Sequence, residues 1–386
     1  MAVLLLVAST PDTAVEIPYT NILITPKMLS CKKRLGVATF LLIICEVRGA
    51  LGRNDATSVQ ENRHARALPC PIPEDILPCT CSVDVDGAID MDCSHIESEE
   101  QLARVFSATI PFPNFRRLVI SQNTHLKSLQ RGALGETSFK EIYVIGSVLQ
   151  EVQERALNNS HATLTDIRIY ANNLSEFPFQ ELPLFTSLLH LDLNHNDLSD
   201  FPLLESDVLS YIDLGFNHIS DLPSEGFRNL SQLAEVHLSG NRIQEIHTGT
   251  FAGYARLAYV SLGDNQLTHV YPGAIQLTST QHNVVYLHNN FLTSLDVNAI
   301  AGVVEGFVSL HNNTITTLNE ESLRPLLEEN VQVDLSANPL TCGCDVAWIL
   351  TDDTILDLID EDATCFSGEL LVELDPKIYI DLCQIR

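Results

Sequence analysis

The stretch "LLHLDLNHNDL", residues 188–198, places leucines at 188, 191, 193 and 198 and an asparagine at 196, with His190, Asp192, Asn194 and His195 between them. Alternation in the middle of the stretch predicts a short strand, because successive side chains of a strand point to opposite faces. Leu191 and Leu193 then turn inward and Asp192 outward. One such stretch cannot bury its own apolar face, so the question is whether it recurs.

It does. "LSYIDLGFNHI" starts at Leu209, "LAEVHLSGNRI" at Leu233 and "LAYVSLGDNQL" at Leu257. Toward the C-terminus the frame continues at His282, Glu305 and Asn330, and toward the N-terminus at Leu164, Phe139 and Phe115. The ten frames are separated by 24, 25, 24, 21, 24, 24, 25, 23 and 25 residues. That spacing, with the L-x-x-L-x-L-x-x-N-x-L pattern, is the leucine-rich repeat. Several copies depart from it. Ser147 stands where the asparagine belongs, Glu305 and Asn330 take the first leucine position, and the Phe115 copy has one extra residue before Leu126. The expected fold class is α/β: a solenoid whose strands stack into a curved parallel sheet on the concave side. Segments such as "LPSEGFRNLSQ", 222–232, are expected to return along the convex side as short helical or irregular turns.

The rest of the chain falls into place around the array. Expected divisions are an upstream extension and signal peptide in 1–50, a linker in 51–69, an N-terminal cysteine cap in 70–112, repeats in 113–340 and a C-terminal cysteine cap in 341–386. In "CKKRLGVATFLLIICEVRGA", 31–50, Lys32, Lys33 and Arg34 precede a short apolar run from Leu35 to Cys45 and a small-residue end. That is the pattern of a secretory signal peptide, and the run is too short for a comfortable membrane span. Met28 fits it better as a start than Met1. The N-terminal "MAVLLLVA" is a weaker candidate for the signal, and an uncleaved anchor is the further alternative.

Ten cysteines occur, two of them, Cys31 and Cys45, in this segment. The other eight form two groups, Cys70, Cys79, Cys81 and Cys93 before the repeats and Cys342, Cys344, Cys365 and Cys383 after them. A solenoid exposes core at both ends, and disulfide-stapled caps can cover it. Each group of four allows three connectivities. Zinc is the rival use of these thiols, and C-x-C in an exported chain argues against it. Four glycosylation sequons, at Asn158, Asn173, Asn229 and Asn312, suit an exported surface. With no membrane helix and no glycolipid-anchor tail in view, a soluble extracellular product is expected.

The formal net charge is −28, and removing residues 1–50 leaves 17 basic against 47 acidic residues. Nucleic acid and anionic lipid would be repelled, which disfavours both as main partners. The outward strand positions carry Tyr143, Tyr170, His190, Asp192, Tyr211, Asp213, Glu235, His237, Tyr259, Tyr286 and Phe307. Any such sheet face is polar, but aromatic rings are costly to leave in water. Tyrosines anchor and charges select at protein interfaces, so this face is the expected partner-binding surface. His190, Asp192, Asp213, Glu235 and His237 cluster on adjacent strands as conceivable metal ligands, and His288 and His311 adjoin in one column. Surface histidines and carboxylates are common enough that no metal site is assigned. The acidic "TDDTILDLIDEDATC", 351–365, lacks the ligand spacing of a calcium loop and reads as a solvated face. No nucleophile motif, zinc-protease motif, phosphate loop or dinucleotide fingerprint occurs, so no catalytic residue and no cofactor is expected.

The N-terminal flank is more specific than the repeats. "CPIPEDILPCTCSVDVDGAIDMDCSHIESEEQLARVF", 70–106, followed by "LKSLQRGALGETSFKEIYV", 126–144, resembles an arthropod group named for the non-catalytic subunit of the decapod luciferase, oplophorus-luciferin 2-monooxygenase. In that enzyme a small separate subunit oxidises coelenterazine with oxygen, and the leucine-rich subunit accompanies it. The resemblance therefore implies a companion protein with no catalytic residue, whose partner is a small secreted catalytic subunit. The alternative is a free recognition or matrix protein that binds microbial surfaces, receptors or glycans. Resemblance to the flanking domains of extracellular leucine-rich repeat proteins implies the pairs Cys70–Cys81, Cys79–Cys93, Cys342–Cys365 and Cys344–Cys383.

Overall fold

A computed structural model describes residues 70–227 and 229–383, together with the backbone of 29–35 and 41–47. It divides into two units, 1–64 and 65–386. In the first, Leu29–Leu35 and Leu41–Val47 pair as an antiparallel ribbon with Cys31 opposite Cys45. The remainder of the expected signal segment, the upstream extension and the linker lie outside the described residues.

The second unit is built on one twelve-stranded sheet. Ten of its strands come one from each repeat: Asn114–Ser121, Ser138–Ile145, Asp166–Tyr170, His190–Asp192, Tyr211–Asp213, Glu235–His237, Tyr259–Ser261, Val284–Tyr286, Phe307–Ser309 and Gln332–Asp334. All pair in parallel with their sequence neighbours, and equivalent repeat positions lie opposite one another. His190 faces Tyr211, which faces Glu235, which faces Tyr259. Leu191, Leu193, Ile212, Leu214, Val236 and Leu238 are at most 1% exposed, so the inward positions are core throughout.

A second line of interactions welds the repeats together where the strands end. Asn196 donates through Nδ2 to the carbonyls of Ile169, Leu193 and Asn194 at 2.6, 2.9 and 3.1 Å, and its Oδ1 accepts from Leu174 N at 2.9 Å. Asn217, Asn241, Asn265, Asn290, Asn313 and Asn338 repeat this arrangement, each bonding its own turn and the preceding repeat. Buried backbone groups must find partners, and one side-chain amide here satisfies several from two repeats. The exception is Ser147. Its hydroxyl accepts from Asn123 N at 3.0 Å and donates to Ile145 O at 3.1 Å, but it is too short to reach Leu126 N, which bonds Asn123 Oδ1 at 2.7 Å instead.

The convex returns are short helical or irregular turns, as expected, and brief extended ladders join several of them. Two-residue parallel ladders join Ser128–Leu129 to Glu151–Val152, Glu205–Ser206 to Asn229–Leu230, and Glu245–Ile246 to His269–Val270. Phe251–Ala252, Ile275–Gln276 and Ile300–Ala301 form a three-stranded one. Regular stacking makes this possible, because repeats of nearly equal length bring equivalent backbone segments within hydrogen-bonding distance. Among the described returns, helical turns occur at Asn158–Ser160 and Phe179–Leu184, and a longer α-helix, Glu320–Glu328, forms in the last.

Both ends are closed. Thr80–Val83 and Ile89–Asp92 extend the sheet by two strands, the second parallel to the first repeat and the first antiparallel to the second. Met91 lies opposite Leu118 and continues the core column, completely buried. Helix Glu99–Phe106, capped by Ser98, buries Leu102, Val105 and Phe106. Disulfides join Cys70 to Cys81, Cys79 to Cys93, Cys342 to Cys365 and Cys344 to Cys383, the four pairs that the flanking-domain resemblance implies. At the C-terminal end Val346, Ile349 and Leu350 cover the last repeat, and the acidic 351–365 stretch folds into short turns around helix Asp353–Leu356.

Candidate functional site

The concave face carries two outward columns. Across neighbouring strands the first reads His190, Tyr211, Glu235, Tyr259, Val284, Phe307 and Gln332, and the second Asp192, Asp213, His237, Ser261, Tyr286, Ser309 and Asp334. Parallel strands lie roughly 4.8 Å apart, so large rings in neighbouring positions must touch. They do so in a zigzag between the columns. Ring centroids are separated by 5.8 Å from His190 to Tyr211, 4.9 Å from Tyr211 to His237, and 4.6 Å from His237 to Tyr259. The series continues at 5.7 Å from Tyr259 to Tyr286 and 5.8 Å from Tyr286 to Phe307. Six rings from six repeats thus form one continuous ridge, each half-buried by its neighbours.

Tyr143 stands apart from that ridge. Arg117 and Arg168 lie over its ring at 4.7 and 5.2 Å. Arg117 also bridges Glu141, and Arg168 lies 3.3 Å from Asp166. Burial, and then the Glu141 charge, push the Tyr143 phenol above its usual range. Tyr170 closes its strand beyond the two columns. The N-terminal third of the face is thereby paired within itself.

The centre is different. The register sets Asp192 directly opposite Asp213. The Asn194 amide lies between them, 2.7 Å from Asp192 Oδ1 and 3.1 Å from Asp213 Oδ2. Burial above all, with the Asp213 charge adding to it, raises the Asp192 carboxyl above the ordinary carboxylate range. The Tyr211 hydroxyl is pushed far up by burial and by Asp213, Asp192 and Glu235. Glu235 is exposed between Tyr211 and Tyr259.

The conceivable metal cluster does not assemble as one site. His190 Nδ1 sits 3.2 Å from Asp166 and His237 Nε2 3.6 Å from Glu235. Both are close enough for attraction, yet neither is aligned for a hydrogen bond. His288 and His311 likewise turn to separate partners, Asp264 at 3.6 Å and Ser336 at 2.7 Å. Among the described residues no three His, Cys, Asp or Glu side chains converge as metal ligands. A groove of about 220 Å³ lies on the return side against helix Glu320–Glu328, away from the concave columns.

The four sequon asparagines, Asn158, Asn173, Asn229 and Asn312, are exposed and all lie outside the two columns. Sequence reasoning found the ridge residues one by one but missed two features. One was their ring-to-ring continuity, a consequence of strand spacing. The other was the role of Arg117 and Arg168, whose signal was their place opposite Glu141 and opposite Tyr143 respectively.

Comparison with known proteins agrees with this architecture. The family model described as leucine rich repeat matches residues 207–267 and 231–279. The chain is 34% identical over 348 residues to the Oplophorus-luciferin 2-monooxygenase non-catalytic subunit of Oplophorus gracilirostris, covering 89% of this chain and 95% of that one. It is 28% identical over 209 residues to leucine-rich repeats and immunoglobulin-like domains protein 3 of Homo sapiens, of which it spans 16%. Among solved structures, a chain of the octameric complex of Latrophilin 3, Unc5D and FLRT2 aligns with a TM-score of 0.59 at 17% identity, over 76% of this chain and 97% of that one. A chain of the LRIM1/APL1C complex aligns with a TM-score of 0.50 at 13% identity, over 74% of this chain and 56% of that one. These two likenesses establish the fold. No helix among the described residues is long and apolar enough to cross a membrane.

Proposed function

The chain belongs to the family of the Oplophorus-luciferin 2-monooxygenase non-catalytic subunit, a leucine-rich repeat family without a catalytic role, and from that membership we propose that it is a secreted accessory subunit. It holds a separate extracellular enzyme on its concave face, a luciferase-type monooxygenase being the candidate. The ring ridge from His190 to Phe307 is the observation that carries the face assignment. Half-buried aromatic rings in a continuous row supply anchoring area at low entropic cost, and the surrounding carboxylates supply selection. The sequons, all off the columns, leave the ridge bare of glycan in this reading. Four disulfides support export, since they persist in oxidising compartments. The signal-like 31–50 segment supports it independently.

Native purification of the secreted protein from its source tissue tests the assignment. A small partner recovered in fixed ratio, with coelenterazine-oxidising activity, is the expected result. A protein recovered alone, with no activity in the same fractions, would remove the accessory role and leave a free recognition or matrix protein.

A further inference from the structure

We propose that the concave face between His190 and Asp334 receives a partner segment bearing lysine or arginine side chains, each cation seated over a tyrosine ring and against a neighbouring carboxylate. This rests on the concave face being the partner surface and specifies the chemistry it selects.

The first support is charge. The seven strands read HLD, YID, EVH, YVS, VVY, FVS and QVD. They carry Asp192, Asp213, Glu235 and Asp334 and no lysine or arginine. Arg117 and Arg168, farther toward the N-terminus, are committed to Glu141, Asp166 and the Tyr143 ring.

The second support is that no cation sits between the two central carboxylates, Asp192 being flanked by Arg168 only on its far side. Asp192 and Asp213 face each other with a neutral amide between them. Its cost is visible in the raised Asp192 carboxyl, where burial and the Asp213 charge outweigh the nearby Arg168. A guanidinium or ammonium arriving from outside would relieve it.

The third support is a worked example within the molecule. On the strand Ser138–Ile145, Glu141 and Tyr143 stand two residues apart on the same face, and Arg117 sits against the carboxylate and over the ring, 4.7 Å from its centroid. A cation within about 6 Å of a ring face is attracted to it. The strand Tyr211–Asp213 presents the same two groups in mirrored order, with Tyr211 Oη 3.4 Å from Asp213 Oδ2. Its neighbours in both columns bear no arginine. The sheet has filled the first seat from its own chain and left the second for a partner.

The probe is an arginine–glycine alternating decapeptide, titrated calorimetrically into the purified full chain at low and at physiological salt. Asp192→Asn, Asp213→Asn and Glu235→Gln combined should weaken binding at least tenfold, and Tyr259→Leu, which keeps every charge, several-fold. Asp353→Asn, Glu361→Gln and Asp381→Asn combined remove the same charge from the exposed C-terminal cap and should change it less than twofold. Melting temperatures at or above that of the parent chain confirm that all variants fold. Equal loss in the concave and cap triples would reduce the effect to overall charge and overturn the proposal, as would no binding by the parent chain. Retention of the native partner separates the two levels. A partner lost on the tyrosine variant Tyr211→Ala/Tyr259→Ala/Tyr286→Ala but kept at full strength by the neutralised triple would leave the concave assignment standing and refute the cation seats.

Discussion

Asn241 shows what one side chain can carry in this fold. Its amide donates to Leu214 O and Leu238 O at 2.9 and 3.0 Å, and its Oδ1 accepts from Ile219 N at 3.0 Å, all in a buried setting. Alanine there leaves buried backbone groups from two repeats unpaired. Asn241→Ala is expected to lower unfolding free energy by about 1–3 kcal/mol, measured by urea denaturation. Asp192 predicts the opposite sign. Its carboxyl is raised in the folded state, so its charged form is disfavoured there and burial costs stability above that raised value. Asp192→Asn keeps an oxygen for Asn194 N, 3.1 Å away in the parent, and removes the charge. A gain of about 0.5–2 kcal/mol at neutral pH is expected, the range of surface-charge repairs. It should fade as the pH falls through the raised value toward the ordinary carboxylate one, because the parent chain then protonates as well. Loss of stability at pH 7 in this variant would contradict the charge account of the face. The asparagines were legible in the sequence, since position and chemistry recur together. The Asp192–Asp213 opposition was legible only as proximity. Its depth depends on how the flanking rings enclose it.

The elements divide by the same logic. Strand positions followed from alternation alone, because inward and outward side chains have opposite chemistry. Convex returns carry no such contrast, so their extended ladders were not foreseen. They arise from equal repeat lengths that align backbone with backbone. The two cap strands were also not foreseen, although "VDVD" and "IDMD" alternate apolar and acidic residues; the second joins the sheet with Met91 opposite Leu118. The convex ladder yields a sharp comparison. Gly302 has φ +73°, and a Cβ there would sit 1.9 Å from Leu277 O, just past the adjoining strand Ile275–Gln276. Gly249 has φ +87° with open space around it. Alanine at Gly249 bears the left-handed penalty alone, about 1–2 kcal/mol. Alanine at Gly302 must also displace the ladder. The expected order of melting temperatures is parent, Gly249→Ala, then Gly302→Ala, and a reversed order would refute the tight packing of that ladder.

At the scale of the whole molecule, parallel stacking of the repeats gathers six rings spread over residues 190–307 into one surface, while the caps shield the ends. A net charge of −28 would draw a cationic partner. Association with such a partner should slow as ionic strength rises, because screening shortens the reach of the field. Stopped-flow association rates that ignore salt would exclude steering. The repeat count and the disulfide-stapled ends could be read from spacing and cysteine grouping. The partner could not, because it is specified by a surface that exists only after folding. The most direct test of the partner surface is native co-purification with the parent chain and with Tyr211→Ala/Tyr259→Ala/Tyr286→Ala side by side. The account predicts a stoichiometric partner with the parent chain and none with the variant, at equal yield and unchanged circular dichroism. A partner that stays bound to the folded variant would contradict it and place the binding surface elsewhere on the solenoid.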